Sequence, residues 1–532
     1  AAGNGESAVL AQSIGGGGGN GGLNVSGSIT FDGSATVGVG GFGGGGGAAG
    51  DVLASVDADI KASGYPWLIG TSDKGPTTLP SAAAGIKAQS IGGGGGSGGI
   101  NVSGSITLPQ GKALDGNTRE PSLLFGVGGY GGEGNAAGDV ALTQKGQVLV
   151  SGRESFGILA QSIGGGGGDG GLNVSGNISA ASGDGMKSGY ALAAGIGGQG
   201  GTGNIAGDVT VRSTGLIAMN AAPVVTNGAV TGFDSGTTPG NAYGLMAQSI
   251  GGGGGYGGMN VSAVVALGGS PLMLGIGGSG GSGGDAGKVS VLRGYELVGT
   301  NRIAASSTIA TRGDSSAGLV AQSIGGGGGS ARENVTMGLT FAQKTGQERL
   351  YASLAIGGNG GTGGDGKAVD VAHLGEIQTS GADSTALFAQ SIGGGGGSGS
   401  YKFEIDKDKF DPEGNVNGGL ARGTNSLALT IGGVGGSGGD AGKVTVDHYW
   451  RLNTKGASST GIRAQSVGGG GGSASLDVTS PVASRNSLSL TLGRLGGIGG
   501  DGGDVDVTAA GNIGTEGTDS SAIEVQSVGG GG

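Results

Sequence analysis

The chain contains no cysteine in 532 residues. That excludes disulfide staples, thiol catalysis and cysteine metal sites together, and it is compatible with secretion without establishing it. Proline is scarce at 10 residues, so the 143 glycines, about 27% against roughly 7% in ordinary proteins, do not make collagen, which needs a strict three-residue period and abundant proline. Charge is also sparse: 12% of residues are charged and the net charge is −11, with no basic stripe for a phosphate backbone, so nucleic acid is not an expected partner. No run of about 18 apolar residues exists, and AAGNGESAVL has neither a basic segment nor an apolar signal core, so no membrane insertion by this segment is expected. With 35% hydrophobic residues the chain still has enough apolar surface to pack.

What is present is repetition. The phrase GILAQSIGGGGG at 157–168 returns in near-copies whose glutamines are Gln12, Gln89, Gln161, Gln248, Gln322, Gln390, Gln465 and Gln526, seven steps of about 73 residues on average. Such a period is one unit of a stacked array. The repeats run approximately 11–87, 88–159, 160–246, 247–320, 321–388, 389–463, 464–524 and a truncated 525–532. The array begins and stops in phase and shows no capping repeat, so 1–532 is expected to be one continuous stretch of a longer chain.

Within a unit, apolar residues alternate with polar ones at a period of two. Three residues before each Gln stands an aliphatic residue, from Val9 and Ile86 to Ile462 and Ile523, expected to point inward. Two before it the copies read Leu10, Lys87, Leu159, Met246, Val320, Phe388, Arg463 and Glu524, a mixture expected to face solvent. A second strand follows the glycines, as Leu23-Asn24-Val25-Ser26 or Ile100-Asn101-Val102-Ser103. A third enters a second glycine segment, a fourth leaves it as Val289-Ser290-Val291, and a fifth is faint, as at Gly511 to Gly514. The expected fold is all-β: a parallel β-solenoid, wound right-handed, each unit burying its apolar side against its neighbours.

Runs of five glycines need a physical reason, because ordered glycine costs about 0.5–1 kcal/mol relative to alanine. The Gly-Gly-x rhythm of 357–365 matches three residues per turn, which leaves two readings: polyglycine-II helices bundled side by side, or irregular glycine turns.

Chemical motifs carry little. Gly361 to Lys367 approaches a phosphate loop, but Ala368 replaces the required hydroxyl residue. The segments ending at Asp285 and Asp440 resemble a calcium nonapeptide without its apolar eighth residue or tandem copies, so these aspartates are expected to close the turn into the next strand. Asn24, Asn101, Asn173 and Asn260 fit a glycosylation acceptor, yet also fall where a strand wants a polar residue. His373 and His448 are expected at the surface. No catalytic, cofactor or metal residue is assigned, and no enzyme is expected. The eight glutamines are assigned a structural role as a ladder of stacked amides.

Insertions at 63–80, 221–243, 295–312 and 401–422 are candidate contact loops, with Tyr65, Trp67, Tyr401, Lys402, Glu404, Asp406, Lys407, Asp408 and Lys409 the residues singled out. AQSIGGGGG, then Gly-Gly-Leu/Ile/Met-Asn-Val-Ser, then Ile-Gly-Gly-x-Gly-Gly-x-Gly-Gly-Asp resembles the glycine-rich passenger repeats of large Gram-negative autotransporter adhesins over nearly the whole chain. The resemblance implies an extracellular, cell-surface location, attachment through an outer-membrane barrel that this sequence lacks, and a role in adhesion, aggregation or biofilm building. The receptor is unread and self-association is open. Two alternatives are a calcium-responsive secreted repeat and a self-assembling extracellular or phage fibre.

Overall fold

The computed structural model describes residues 7–532 apart from 32, 64–65, 73–74, 81–82, 109–120, 181–189, 222, 227–228, 234–239, 268, 300, 306, 342–348, 401, 407–423, 475–476 and 481–485. The described residues are strands, turns and extended glycine segments, without a helix. One sequence repeat makes one rung: Gln12 pairs with Gln89, Gln89 with Gln161, and so on in unbroken parallel register to Gln526.

Each rung contributes five strands to five parallel sheets, one of eight strands and four of seven. In the third rung they are Phe156–Ile163 (the Gln sheet), Asn173–Ala180 (the Asn sheet), Tyr190–Ile196 (the Leu sheet), Val209–Ser213 (the Val sheet) and Gly215–Met219 (the Thr sheet). The faint fifth strand is therefore a full sheet. Stacking places each residue type beneath its own kind, so the sequence repeat is also the packing repeat, and the fold is all-β and solenoid-like.

The Gln, Val and Thr sheets enclose a single apolar core. Ile158 and Ala160, Val209 and Val211, and Ile217 and Met219 supply it in the third rung, all fully buried. The aliphatic residue before each Gln does point inward, as at Ile86, Leu245, Leu319, Leu387 and Ile462. The next position departs from expectation: Leu159, Met246 and Val320 are buried, in a second cluster with Phe156, Tyr243, Ala317 and Phe388 on the outer side of the same sheet. Apolar neighbours on that side cover what alternation alone would leave wet.

Two glycine segments per rung connect this lobe with the Asn and Leu sheets. Their hydrogen bonds recur every third residue. Gly92, Gly95 and Gly98 donate to Ile163, Gly166 and Asp169 of the next rung, while Gly93, Gly96 and Gly99 donate across to Gly47, Gly44 and Gly41 of the previous one. The remaining third, Gly94, Ser97 and Ile100, faces outward. Backbone groups are thus satisfied without internal bonds. Glycine is required for space: a Cβ on Gly167 would fall inside the carbonyl of Gly201, whereas on Gly166 the nearest atom lies 3.5 Å away.

From the second rung on, a turn with a left-handed residue closes the rung from the Thr sheet back to the Gln sheet. Asp383 takes φ 55°, Thr379 Oγ1 donates to Ser384 O at 2.7 Å, and Ser384 N donates to Ser459 Oγ at 3.1 Å in the next rung. Aspartate and asparagine tolerate this conformation better than most side chains do.

Candidate interaction surface

The Asn and Leu sheets form a second lobe whose polarity is inverted. Asn101, Ser103 and Ser105 point inward and are buried, while Val102 and Ile106 on the same strand point outward. Opposite them, Ser122 and Leu124 of the Leu sheet are inside, and Leu123 and Phe125 outside. The two sheets approach so closely that a Cβ on Gly126 would strike Ser175 and Asn173. Small polar side chains fit that gap and bond to one another.

Asparagine carries the interior ladder. Nδ2 of Asn24 donates to Oδ1 of Asn101 at 2.6 Å, Asn101 to Asn173 at 2.7 Å, Asn173 to Asn260 at 2.7 Å and Asn260 to Asn334 at 2.8 Å. Asn101 and Asn173 are fully buried, so these triplets are inward strand positions, out of reach of a glycan. In the middle rungs Ala191, Ala193, Val264, Met273 and Tyr351 fill the lobe with apolar atoms instead.

The apolar side chains consequently line the outside. On the Leu sheet Leu272, Leu350 and Leu427 are 41%, 48% and 43% exposed in consecutive rungs. On the Asn sheet Val25, Ile29, Val102 and Ile178 are exposed, and the glycines between the Val and Ile rows leave a groove of ≈ 600 Å³. Seven strands at about 4.8 Å by roughly 17 Å of strand give about 550 Å² per face. Each face alone reaches the upper part of the range for the largest apolar patch of a typical monomer, about 300–600 Å². The Val sheet is more mixed: Asp57, Thr143, Lys145, Arg212 and Asp370 share its outward positions with Leu53 and Leu292.

Three of the four insertions contain hairpins. Pro66–Ser72 pairs antiparallel with Gly75–Pro80, setting Trp67 opposite Leu79; Pro223–Thr226 pairs with Ala229–Phe233, and Tyr295–Val298 with Asn301–Ala304. The first two leave between the Thr and Gln sheets, the third between the Val and Thr sheets. Tyr65, Tyr401, Lys407, Asp408 and Lys409 lie outside the described residues. Lys402, Glu404 and Asp406 are not in an insertion. They belong to the strand Lys402–Asp406 of the Asn sheet, where Lys402 is in register with Asn334 and Glu404 with Thr336. The loss of the Asn-Val-Ser spelling there hid the strand. The described contact residues named from sequence thus belong to separate elements, Trp67 to a hairpin and Lys402, Glu404 and Asp406 to the Asn sheet.

The glutamines form an external ladder, each Nε2 donating to the next Oε1: 2.7 Å from Gln12 to Gln89, 2.6 Å from Gln161 to Gln248, and 2.6 Å from Gln465 to Gln526. The serine that follows faces in and was not singled out in the sequence. Ser162 Oγ donates to Gly138 O at 2.9 Å and accepts from Gly207 N at 2.8 Å, tying the strand to the ends of two glycine segments.

The aspartates after the glycines form a column. Asp285 Oδ1 accepts from Asp365 N at 2.8 Å, Asp365 from Asp440 N at 3.0 Å, and Asp440 from Asp501 N at 2.8 Å. Lys367 Nζ reaches Asp285 at 2.9 Å and Asp365 at 3.0 Å. Burial lowers the Lys367 pKa, but its hydrogen bonds and charge contacts with both carboxylates outweigh this and hold it above the ordinary value. A carboxylate column that shares backbone protons and a lysine needs no cation to stand.

His373 and His448 are not at the surface, as sequence reading had them, but fully buried where the Val sheet meets the Thr sheet. Arg293, one rung earlier and also fully buried, donates from its guanidinium to Ser213 Oγ, Gly215 O and Thr308 O. Burial lowers the Arg293 pKa to about 9 and that of His448 to about 4; that of His373 falls well below its ordinary value, through burial first and then the neighbouring His448 and Arg293. Polar register positions Gln144 and Ser213 precede them, so this corner tolerates polar side chains, a signal legible only after alignment by rung.

No protein-family model matches the chain, and no curated protein and no solved structure matches it either.

Proposed function

We propose that this array is a structural and adhesive stalk of a bacterial cell surface, built from right-handed rungs whose glycine segments are packed polyglycine-II helices. One observation carries the structural half: the five sheet strands and the glycine segments of the described rungs are hydrogen-bonded to the next rung. A load along the stack is then shared among many bonds in parallel. The three-residue hydrogen-bond period favours the polyglycine-II reading over irregular turns. The adhesive half rests on the exposed apolar faces and on the resemblance of AQSIGGGGG to autotransporter passengers.

The calcium-responsive alternative is less favoured, because the aspartate oxygens already accept backbone N–H groups and a lysine. The test is antibody labelling of intact cells that make the full protein, with clumping and surface attachment compared after deletion of its gene. Labelling without permeabilisation and loss of clumping or attachment are expected. Labelling only after permeabilisation, or unaltered clumping and attachment, would overturn the reading.

A further inference from the structure

The outer face of the Asn sheet carries a groove with an unusual property: its floor and its walls have the period of the rungs. Gly27, Gly104 and Gly176 form the floor, Ala263 narrows it, and Met337 closes it in the fifth rung. Ile29, Ile106, Ile178 and Val265 form one wall, in the same register. In the four rungs of the groove the outward register positions, from Val25, Gly27 and Ile29 to Val261, Ala263 and Val265, hold no charged residue, although the chain carries a net charge of −11.

We infer that this groove is the docking surface for a second copy of this chain, Ile ridge into Gly groove. The period decides the occupant. An extended peptide lying along the groove presents side chains about every 3.3 Å, or every 6.6 Å on one face, and falls out of step with pockets spaced about 4.8 Å apart. A second array presents Ile29, Ile106, Ile178 and Val265 at the rung spacing and stays in step over the four rungs of the groove. Ridge and groove lie side by side on one face, so a two-fold axis parallel to the stack, placed between them, seats each copy's Ile row on the other's Gly row. The two stacks then run in the same direction with like rungs facing. Such a contact resembles the dry interdigitation of paired sheets. Over the four rungs that the groove spans, about 19 Å by roughly 17 Å of strand gives about 330 Å² from each partner, roughly 650 Å² in total, the size of a weak, transient contact, so an association that strengthens with concentration is expected.

This deepens the stalk reading by naming a partner, and rests on it only for its setting. Its test is made in solution, so the outcome is separable from the cell-surface experiment. Sedimentation velocity of the whole chain over about a hundredfold range of concentration is expected to show reversible dimers. The double substitution Gly104→Leu with Gly176→Leu fills the groove. Nothing lies within 4 Å of a Cβ at Gly176, and only Gly176 O, at 4.0 Å, of one at Gly104, so the variant has room to fold. It is expected to weaken association at least tenfold with an unchanged circular dichroism spectrum. Should it misfold, Ile106→Asp serves in its place. Thr210→Leu, on the outer Val sheet, is expected to leave association intact. Because the chain lacks cysteine, Ile29→Cys gives one addressable thiol, and a short bismaleimide is expected to join two first rungs. A chain that stays monomeric throughout, a filled groove that associates as before, a Thr210→Leu chain that no longer associates, or dimers that Ile29→Cys cannot cross-link would each overturn the inference.

Discussion

His373 and His448 stack face to face in successive rungs, with ring planes 3° apart, centroids at 5.1 Å and Nδ1 atoms 3.0 Å from each other. Burial keeps both imidazoles neutral near pH 7, and since one Nδ1 must donate and the other accept, the two hold different tautomers. Their Nε2 atoms are buried without a hydrogen-bond partner. Arg293 lies beneath them in the same register column, which leaves no favourable place for a further positive charge.

Acid should therefore weaken the array. Both histidines have folded pKa values below the unfolded value near 6.5, with His448 at about 4. The unfolded chain then binds protons that the folded chain refuses. Stability is complete well above pH 6.5 and falls as pH drops toward 4, by at most about 1.4 kcal/mol per pH unit for each histidine. Denaturant midpoints measured from pH 7 to pH 4 should show the slope, and His373→Leu with His448→Leu should flatten it. An equal slope in that variant would assign the acid sensitivity elsewhere.

Two adjacent glycines should respond oppositely to alanine. Gly167→Ala drives a methyl group into the Gly201 carbonyl and is expected to cost on the order of 1–3 kcal/mol or more. Gly166→Ala faces outward and is expected to be neutral, or to stabilise by up to about 1 kcal/mol through the unfolded state. Paired thermal melts decide it. Equal effects would mean that the glycines are not packed as described.

The two amide ladders differ in burial, and truncation should expose the difference. Asn173→Ala leaves Asn101 and Asn260 facing a gap in a buried column, an expected loss of about 2–4 kcal/mol. Gln248→Ala removes two bonds of a part-buried ladder, where water can substitute, and about 1 kcal/mol is expected. Chemical denaturation of both variants measures the ranking, and a reversed order would contradict the inverted interior.

Chelation should leave the array unchanged. The column from Asp285 to Asp501 is held by backbone N–H groups, and Lys367 bridges two of its carboxylates. Far-ultraviolet circular dichroism and melting with and without a calcium chelator are expected to coincide. A drop in melting temperature on chelation would revive the calcium-responsive reading.

Much of this architecture was legible in residues that keep their spelling. The interval between Gln12 and Gln89 gave the rung, and Ile86 and Ala88 gave the inward face of the Gln sheet. The face of the Asn sheet was not legible, because a period of two is the same pattern whichever side is buried. Asn101 and Val102 alternate identically in a wet sheet and in this inverted one; only the close approach of Gly126 decides between them. His373 and His448 were misplaced for a related reason, since a lone polar residue beside a strand shows nothing of what stands above and below it. The strand at Lys402 was hidden by charge where its neighbours carry Asn and Thr, and its backbone register survives the change.

The glutamine ladder has a sense as well as a length. Every amide from Gln12 to Gln465 donates toward higher residue numbers, and the asparagines do the same. Dipoles aligned head to tail polarise one another, so a bond in the middle of the row is strengthened by those on both sides. The array is thereby electrically directional along its axis, and a single interrupted amide weakens bonds in rungs it never touches.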